Sequence, residues 1–344
     1  AGMSQIALAG DSVYVNTSSL RYRTSAQIKD NNIAGNLSYG QKLERVGTSG
    51  QWTMILLNGK KYYVSSAYVT SKKPASAGAV QTTSQTAAGA QTSGGTAIAL
   101  SSNYKYANYS KINSGTATLY RSTASNKKNK VVCVNAGHGT NGGGSVKTQC
   151  HPDGSAKVTG GTTGAGATSA VAVSSGMTFA DGTAESKVTL AMAKVLKTKL
   201  LNAGYDVLMI RESDDVQLDN IARTVIANNN ADCHIALHWD STSSNKGAFF
   251  MSVPSNATYR AMEPVASHWK QHNQLGESLI SGLKSAGVKI YSKGSMEMDL
   301  TQTSYSTIPS VDIELGDKAS DHSGATLETL ANGLLAGVNT FFGQ

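Results

Sequence analysis

Beyond Val131 the chain alternates short apolar runs with helical apolar stripes, and few arrangements other than an α/β sheet accommodate that rhythm. Val131–Val134 and Cys233–Leu237 read as interior strands, with Tyr205–Ile210, Ala248–Val253 and Val311–Leu315 as further strands. Glu185 opens a helix whose stripe is Val188, Met192, Val195, Leu196 and Leu200, with Gly204 as its stop. Leu218, Ile221, Ala222 and Val225 mark a second helix, and Leu275, Leu279, Ile280 and Leu283 a third. Leu327, Leu330, Leu334 and Val338 mark a closing one. The expected fold is a three-layer α/β domain, a mostly parallel sheet flanked by helices. Such sheets build their sites at the carboxyl ends of the strands.

The start of the chain has a different rhythm. Residues 4–71 show short alternating segments: Val13-Tyr14-Val15, Leu20–Arg23, Lys42–Val46, Trp52–Ile55 and Lys61–Val64. Gly40, Gly50 and Asn58-Gly59 punctuate them as hairpin turns do, which predicts a small all-β barrel. Residues 72–102 are Ala, Ser, Thr, Gln and Gly with almost no large apolar side chain. Such a stretch cannot offset its ordering entropy by burial and reads as a linker. A catalytic domain is expected over 103–344, its core beginning at 131, with the segment "GTATLYRST" (115–123) as a candidate lead-in strand.

Charge and cysteines narrow the function. The net charge is +8, and the first 73 residues carry much of it. Arg21, Arg23, Lys29, Lys42, Arg45, Lys60, Lys61, Lys72 and Lys73 face only Asp11, Asp30 and Glu44 there. The excess suits any polyanion, an anionic cell wall included. Because the basic residues are scattered and no nucleic-acid motif accompanies them, nucleic acid is not an expected partner. No apolar stretch is long enough to span a bilayer. No export signal is visible, and Ala1-Gly2-Met3 reads as a remnant left after removal of a signal and tag, so that absence says little. Sparse charge with plentiful Gly, Ser, Thr, Ala and Asn makes a secreted chain the expectation. Cys133, Cys150 and Cys233 lack CxxC spacing, so a zinc knot is not expected, and buried free thiols are expected in preference to a disulfide.

Four groups fall at comparable places in the α/β pattern: His138 after one strand, Glu185 at a helix start, His238 after another strand and Glu314 near the end of a third. Two imidazoles and a carboxylate make a catalytic zinc set with a fourth position for water. Zinc acidifies that water and polarises a carbonyl, and a further carboxylate can move protons. Glu314 would serve, but Asp312 shares its segment and parity, and spacing alone does not choose between them.

Two resemblances add to this reading. The segments "SLRYRTSAQ" and "AGNLSYGQKLERVGTSGQWTMILLNGKKYYVSSAYV" resemble the bacterial Src-homology-3-like domains of cell-wall hydrolases, which implies wall binding. Tyr22, Trp52, Tyr62, Tyr63 and Tyr68 are the aromatics from which a peptide groove would draw, and core packing is their commoner use. The segments "VVCVNAGHG", "AESKVTLAMAKVLKTKLLNAGYDVLMIRESDD", "LDNIARTVIANNNADCHIALHWDS" and "IPSVDIELGD", in that order, resemble the zinc-dependent N-acetylmuramoyl-L-alanine amidases over most of residues 131–342. That resemblance implies Zn2+ on His138, Glu185 and His238, a catalytic Glu314 in preference to Asp312, and peptidoglycan as substrate. It also suggests Arg211, Asp214 and Arg223 as structural ion pairs. The sequence is silent on oligomeric state, and a monomer is the default expectation.

The departures from the pattern are equally specific. A Gly/Thr/Ala-rich stretch from about Thr140 to Thr183 separates His138 from Glu185, and its Cys150, His151 and Asp153 are candidates to reach the zinc. It reads either as a lid or plug over the site or as a surface loop away from it. Asp240 and Asp317 stand where the family commonly has Asn and an aromatic, which would alter charge near the cleft. The alternatives are a zinc peptidase that cuts the stem peptide, and a non-catalytic wall-binding protein on a degenerate amidase fold.

Overall fold

In the amino-terminal region, period-two patterning turns alternate residues of short strands inward. The strands are β1 (Asp11–Val15), β2 (Ser19–Arg23), β3 (Ile33–Ser38), β4 (Lys42–Ser49), β5 (Trp52–Leu57), β6 (Lys60–Ser65) and β7 (Val69–Thr70). They form one antiparallel sheet in the order β3-β2-β6-β5-β4-β1-β7. Val13, Val15, Leu20, Leu37, Leu43, Ile55 and Val64 are its buried core. The β5–β6 hairpin turns at Asn58-Gly59, both at positive φ. The all-β expectation holds, with β3 and β7 added to the expected strands. Tyr22, Tyr62 and Tyr68 lie half-buried against that core, Tyr22 and Tyr62 edge to face at 4.9 Å.

This computed structural model describes residues 11–17, 19–73 and 92–344, which fall into two compact units. Ala1-Gly2-Met3 and residues 74–91 of the expected linker lie outside the described residues.

The second unit is built on strands β8 (Thr92–Ala99), β9 (Thr116–Ser122), β10 (Val131–Ala136), β13 (Asp206–Met209), β14 (Cys233–Asp240), β15 (Ala248–Ser252), β16 (Ile290–Glu297) and β17 (Ser310–Asp317). Their order is β16-β15-β17-β14-β10-β13-β9-β8, and β11 (Lys147–Gln149) and β12 (Ser169–Val171) form a separate small hairpin. The helices are α1 (Glu185–Asn202), α2 (Asn220–Asn230), α3 (Ala257–Ala261), α4 (Val265–Ser285), α5 (Thr301–Tyr305) and α6 (Gly324–Phe342). Val132, Val134 and Ala136 of β10 point to one face, where α1, α4 and α6 bury Met192, Leu196, Leu279, Leu283, Leu330 and Leu334. Cys133 points to the other face, toward Ala222 and Ile226 of α2. These are the three expected layers. All three cysteines are buried and free, as expected.

Two expectations are corrected. The sheet is mixed: β13, β10, β14 and β17 run parallel in the middle, whereas β9 and β15 join them antiparallel. The end of the expected linker is also no linker, since Thr92–Ala99 pairs with β9 as the edge strand β8. Apart from the half-buried Ile98, its described side chains are mostly small and exposed. An edge strand of that kind is held by backbone hydrogen bonds, so composition did not reveal it. Among the described residues, no helix is long and apolar enough to cross a membrane.

Candidate metal centre

The site begins where β10 runs out. Gly137 follows Ala136, and a Cβ there would lie 2.2 Å from His238 Cε1, so glycine is what lets the two strand ends meet. His138 then adopts φ 66°, a left-handed conformation costing roughly 1–3 kcal/mol that persists only where neighbours over-determine it. Two arginines do so. Arg211 donates to the carbonyls of Ala136, Gly137, Ser186 and Ser213. Arg223, fully buried, donates to Asn135 Oδ1, to Thr140 Oγ1 and to the carbonyls of Ala136, His138 and Leu218. Burial pulls Arg211 down to about 10 and Arg223 to about 9, so both stay cationic at neutral pH. The expected Arg-Asp-Arg ion pairing is therefore corrected: Asp214 pairs at 3.2 Å with the exposed Lys187, and the arginines serve backbone oxygens.

Glu185 is the first residue of α1, whose N-cap, Ala184, offers no side-chain oxygen. Its carboxylate is aimed elsewhere. Oε2 accepts the Met177 amide at 2.9 Å, and Oε1 accepts the Trp239 amide at 3.0 Å. His238 lies on β14 in register with Glu314 on β17, so both sit at the same depth of the sheet.

Three donor atoms converge. His138 Nε2 is 3.0 Å from Glu185 Oε1 and 3.1 Å from His238 Nδ1, and His238 Nδ1 is 3.4 Å from Glu185 Oε1. A tetrahedral ion bound at about 2.0–2.1 Å has ligand–ligand edges of about 3.3–3.4 Å, close to this triangle. His138 Nδ1 donates to the Ser174 carbonyl at 2.7 Å, which leaves the Nε2 lone pair facing the other two groups. The three side chains are 10%, 3% and 18% exposed, so they are walled in yet still reachable. Burial opposes ionisation of Glu185, but its hydrogen bonds to the two imidazoles hold its carboxyl well below the usual range. The three residues could hold a metal ion.

Beside the triangle lie two carboxyl groups. Asp312 Oδ2 is 3.6 Å from His238 Nε2, the nitrogen turned away from the triangle. Asp312 Oδ1 and Glu314 Oε2 are buried without a hydrogen-bond partner among the described residues. Burial, and next the Asp312 charge, push Glu314 well above the ordinary carboxylate range. Two orphaned carboxylate oxygens beside a His/Glu/His triangle fit a site that takes up a cation. The triangle and both carboxylates line one cleft of about 530 Å3.

The sequence profile of the N-acetylmuramoyl-L-alanine amidase family matches residues 132–332, more than half of the chain. The chain belongs to that family. The matched span takes in His138, Glu185, His238 and Glu314. Solved amidases are similar to the chain at low identity. Ami1 of Mycobacterium abscessus, in its apo form, is 20% identical with a TM-score of 0.47, over 62% of this chain and 98% of that one. Ami1 of Mycobacterium smegmatis is 19% identical with a TM-score of 0.49, over 64% and 99%. An amidase of Clostridium difficile 630 is 18% identical with a TM-score of 0.45, over 62% and 97%. No curated protein sequence matches the chain.

Within the amidase family pattern, the departures find structural explanations. His151 does not reach the triangle: Nε2 bonds Asp299 Oδ2 at 2.8 Å and Nδ1 bonds Ser155 Oγ. Asp153 caps Ser155, and Cys150 is a buried thiol. These three were expected as possible ligands because position in sequence says nothing of where a long insertion folds. Nor is the insertion a loop remote from the site, since Val173, Ser174, Gly176 and Met177 line the cleft. Asp240 is paired with Lys246 at 2.7 Å, which offsets its charge at the cleft. Asp317 is buried, accepting from Thr242, Lys246 and Ala319, and so serves the loops. Sequence reasoning missed Ser174 and Met177, which act through backbone atoms and leave no side-chain signal. It also passed over Asp299, a lone acid between Met298 and Leu300.

Proposed function

We propose that the chain is a zinc hydrolase that cleaves the amide between the N-acetylmuramic acid lactyl group and L-alanine in peptidoglycan. The observation that carries this reading is the triangle of His138 Nε2, Glu185 Oε1 and His238 Nδ1 beside a buried Glu314 oxygen without a partner. Family membership supplies the substrate class.

His138, Glu185 and His238 would hold the zinc. When bound, zinc supplies Lewis-acid polarisation of the amide carbonyl, acidification of water and a positive charge beside Glu314. Glu314 takes a proton from the attacking water and delivers it to the leaving amine of L-alanine. As the water's oxygen bonds to the lactyl carbonyl carbon, the C–N bond breaks, and the products are a free lactyl carboxylate and a free amino terminus. Asp312 sets a negative charge 3.6 Å from His238 Nε2, which favours a proton on that nitrogen and leaves Nδ1 toward the triangle. Arg211 and Arg223 keep the Gly137–His138 turn in its strained conformation.

The chain acts outside the membrane on the cell wall. Its amino-terminal all-β region, which we read as a Src-homology-3-like wall-binding domain, keeps the enzyme on its polymeric substrate by raising local concentration. Two variants test the assignment. Glu314→Gln should bind one equivalent of zinc and lose turnover by about 10²–10⁴-fold. His238→Ala should lose the zinc as well. Full turnover by Glu314→Gln would remove Glu314 from its role.

A further inference from the structure

The insertion between His138 and Glu185 is fastened along its length. Tyr305 Oη donates to the Gln149 carbonyl at 2.8 Å, and Tyr109 Oη donates to the Pro152 carbonyl at 2.9 Å. The buried Asp299 accepts from the amides of Val158 and Thr159, from Lys157 Nζ and from His151 Nε2. The Asn220 amide, at the start of α2, donates to the Ala172 carbonyl, and the Ala180 amide donates to the Lys318 carbonyl. Every one of these contacts holds the segment down; a lid would need most of them broken.

Where this fastened segment passes the triangle, it touches two of its three members. The Ser174 carbonyl takes the Nδ1 proton of His138, and the Met177 amide donates to Glu185 Oε2. Between them Gly176 sits at φ +84°, and a Cβ there would lie 2.8 Å from His138 Cδ2 and 2.9 Å from Glu185 Oε2. The Gly176 amide is in turn held by Ser174 Oγ at 3.1 Å. Glycine at 176 is therefore demanded twice, by its backbone conformation and by the two side chains against it.

We propose that the Ser174–Met177 turn is a positioning element for the metal set, and that the insertion is a fixed part of the metal site. The turn selects the His138 tautomer and sets the carboxylate plane of Glu185, work that outer groups commonly do for metal ligands. This inference rests on the zinc reading above.

Gly182 provides the control, because it lies in the same insertion at φ +87° with nothing within 4 Å of a Cβ. The full-length Gly176→Ala, Gly182→Ala and Ser174→Ala variants would be titrated with Zn2+ against a chromophoric chelator and with Co2+ by visible absorption. Gly176→Ala should bind zinc about 10–100-fold more weakly than wild type and shift the cobalt spectrum. Gly182→Ala should stay within about twofold and keep the spectrum. Ser174→Ala, which adds no bulk or strain, should weaken zinc by a smaller factor in the same direction. If wild type binds zinc and Gly176→Ala matches Gly182→Ala, the inference is overturned while the zinc reading stands. Unchanged affinity in Ser174→Ala, should Gly176→Ala fail to fold, would overturn it equally. A wild-type chain that takes up no zinc would overturn both.

Discussion

His138 Nε2 stands 3.0 Å from Glu185 Oε1, with the whole of residues 140–183 looped out between them. Neither group reaches the other through local geometry. His138 is held in a left-handed turn by two arginines, and Glu185 is aimed by the amides of Met177 and Trp239. The contact depends on buried polar anchors, and those anchors can be removed one at a time.

Arg223 is the deepest of them. Replacing it by Met would fill much of the space but strand Asn135 Oδ1 and the His138 carbonyl without a donor. The expected loss is on the order of 3 kcal/mol or more, read from urea denaturation. A change below about 1 kcal/mol would mean that water takes over these bonds.

Acid should loosen the second unit well before its carboxylates titrate. Burial pulls both His234 and His272 down to about 3. The unfolded chain takes up these protons below about pH 6.5 while the folded one refuses them. Stability therefore falls as pH drops from 6.5 toward 3, by at most about 1.4 kcal/mol per pH unit for each histidine. His272→Gln should remove up to half of that slope between pH 6.5 and 4.5. An unaltered slope would show that His272 is protonated in the folded chain.

Asp312 tests what sets the tautomer of His238. Asp312→Asn keeps the shape but removes the charge 3.6 Å from His238 Nε2. Activity or zinc affinity should fall by about 10–100-fold, measured by turnover and chelator competition. Equal values for variant and wild type would leave Asp312 with no part in the site.

Much of the fold was legible in the sequence, because period 2 and period 3.6 are written in side chains. Val132 and Val134 against Met192 and Leu196, and Val13 and Val15 in the first sheet, are cores of that kind. What escaped was structure carried by the backbone. Edge strand β8 needs only amides and carbonyls, as do the Ser174 and Met177 contacts. Of the candidate site residues, Glu314 stood out as a carboxylate in a buried strand, whereas His138, His238 and the helix-start Glu185 were weak signals singly and drew notice only as a set. The arginines were seen but misread, since an acid nearby in sequence suggests an ion pair while Arg211 in fact bonds carbonyl oxygens.

The amino-terminal sheet has its own core, and so does the second unit. A chain beginning at residue 92 should therefore keep its turnover on small soluble muramoyl peptides. On intact wall sacculi its rate should fall on the order of tenfold, because the local concentration is lost. Equal rates on sacculi with and without the first unit would rule out its proposed anchoring role.

The central claim is the bond that is cut, and the products of digestion report it directly. Purified peptidoglycan would be incubated with the zinc-loaded chain and the soluble products weighed by mass spectrometry. The account predicts free stem peptides with an amino-terminal L-alanine, together with glycan strands of unchanged length that carry free lactyl carboxylates. Peptides shortened within the stem, or no release at all by zinc-loaded protein, would contradict it.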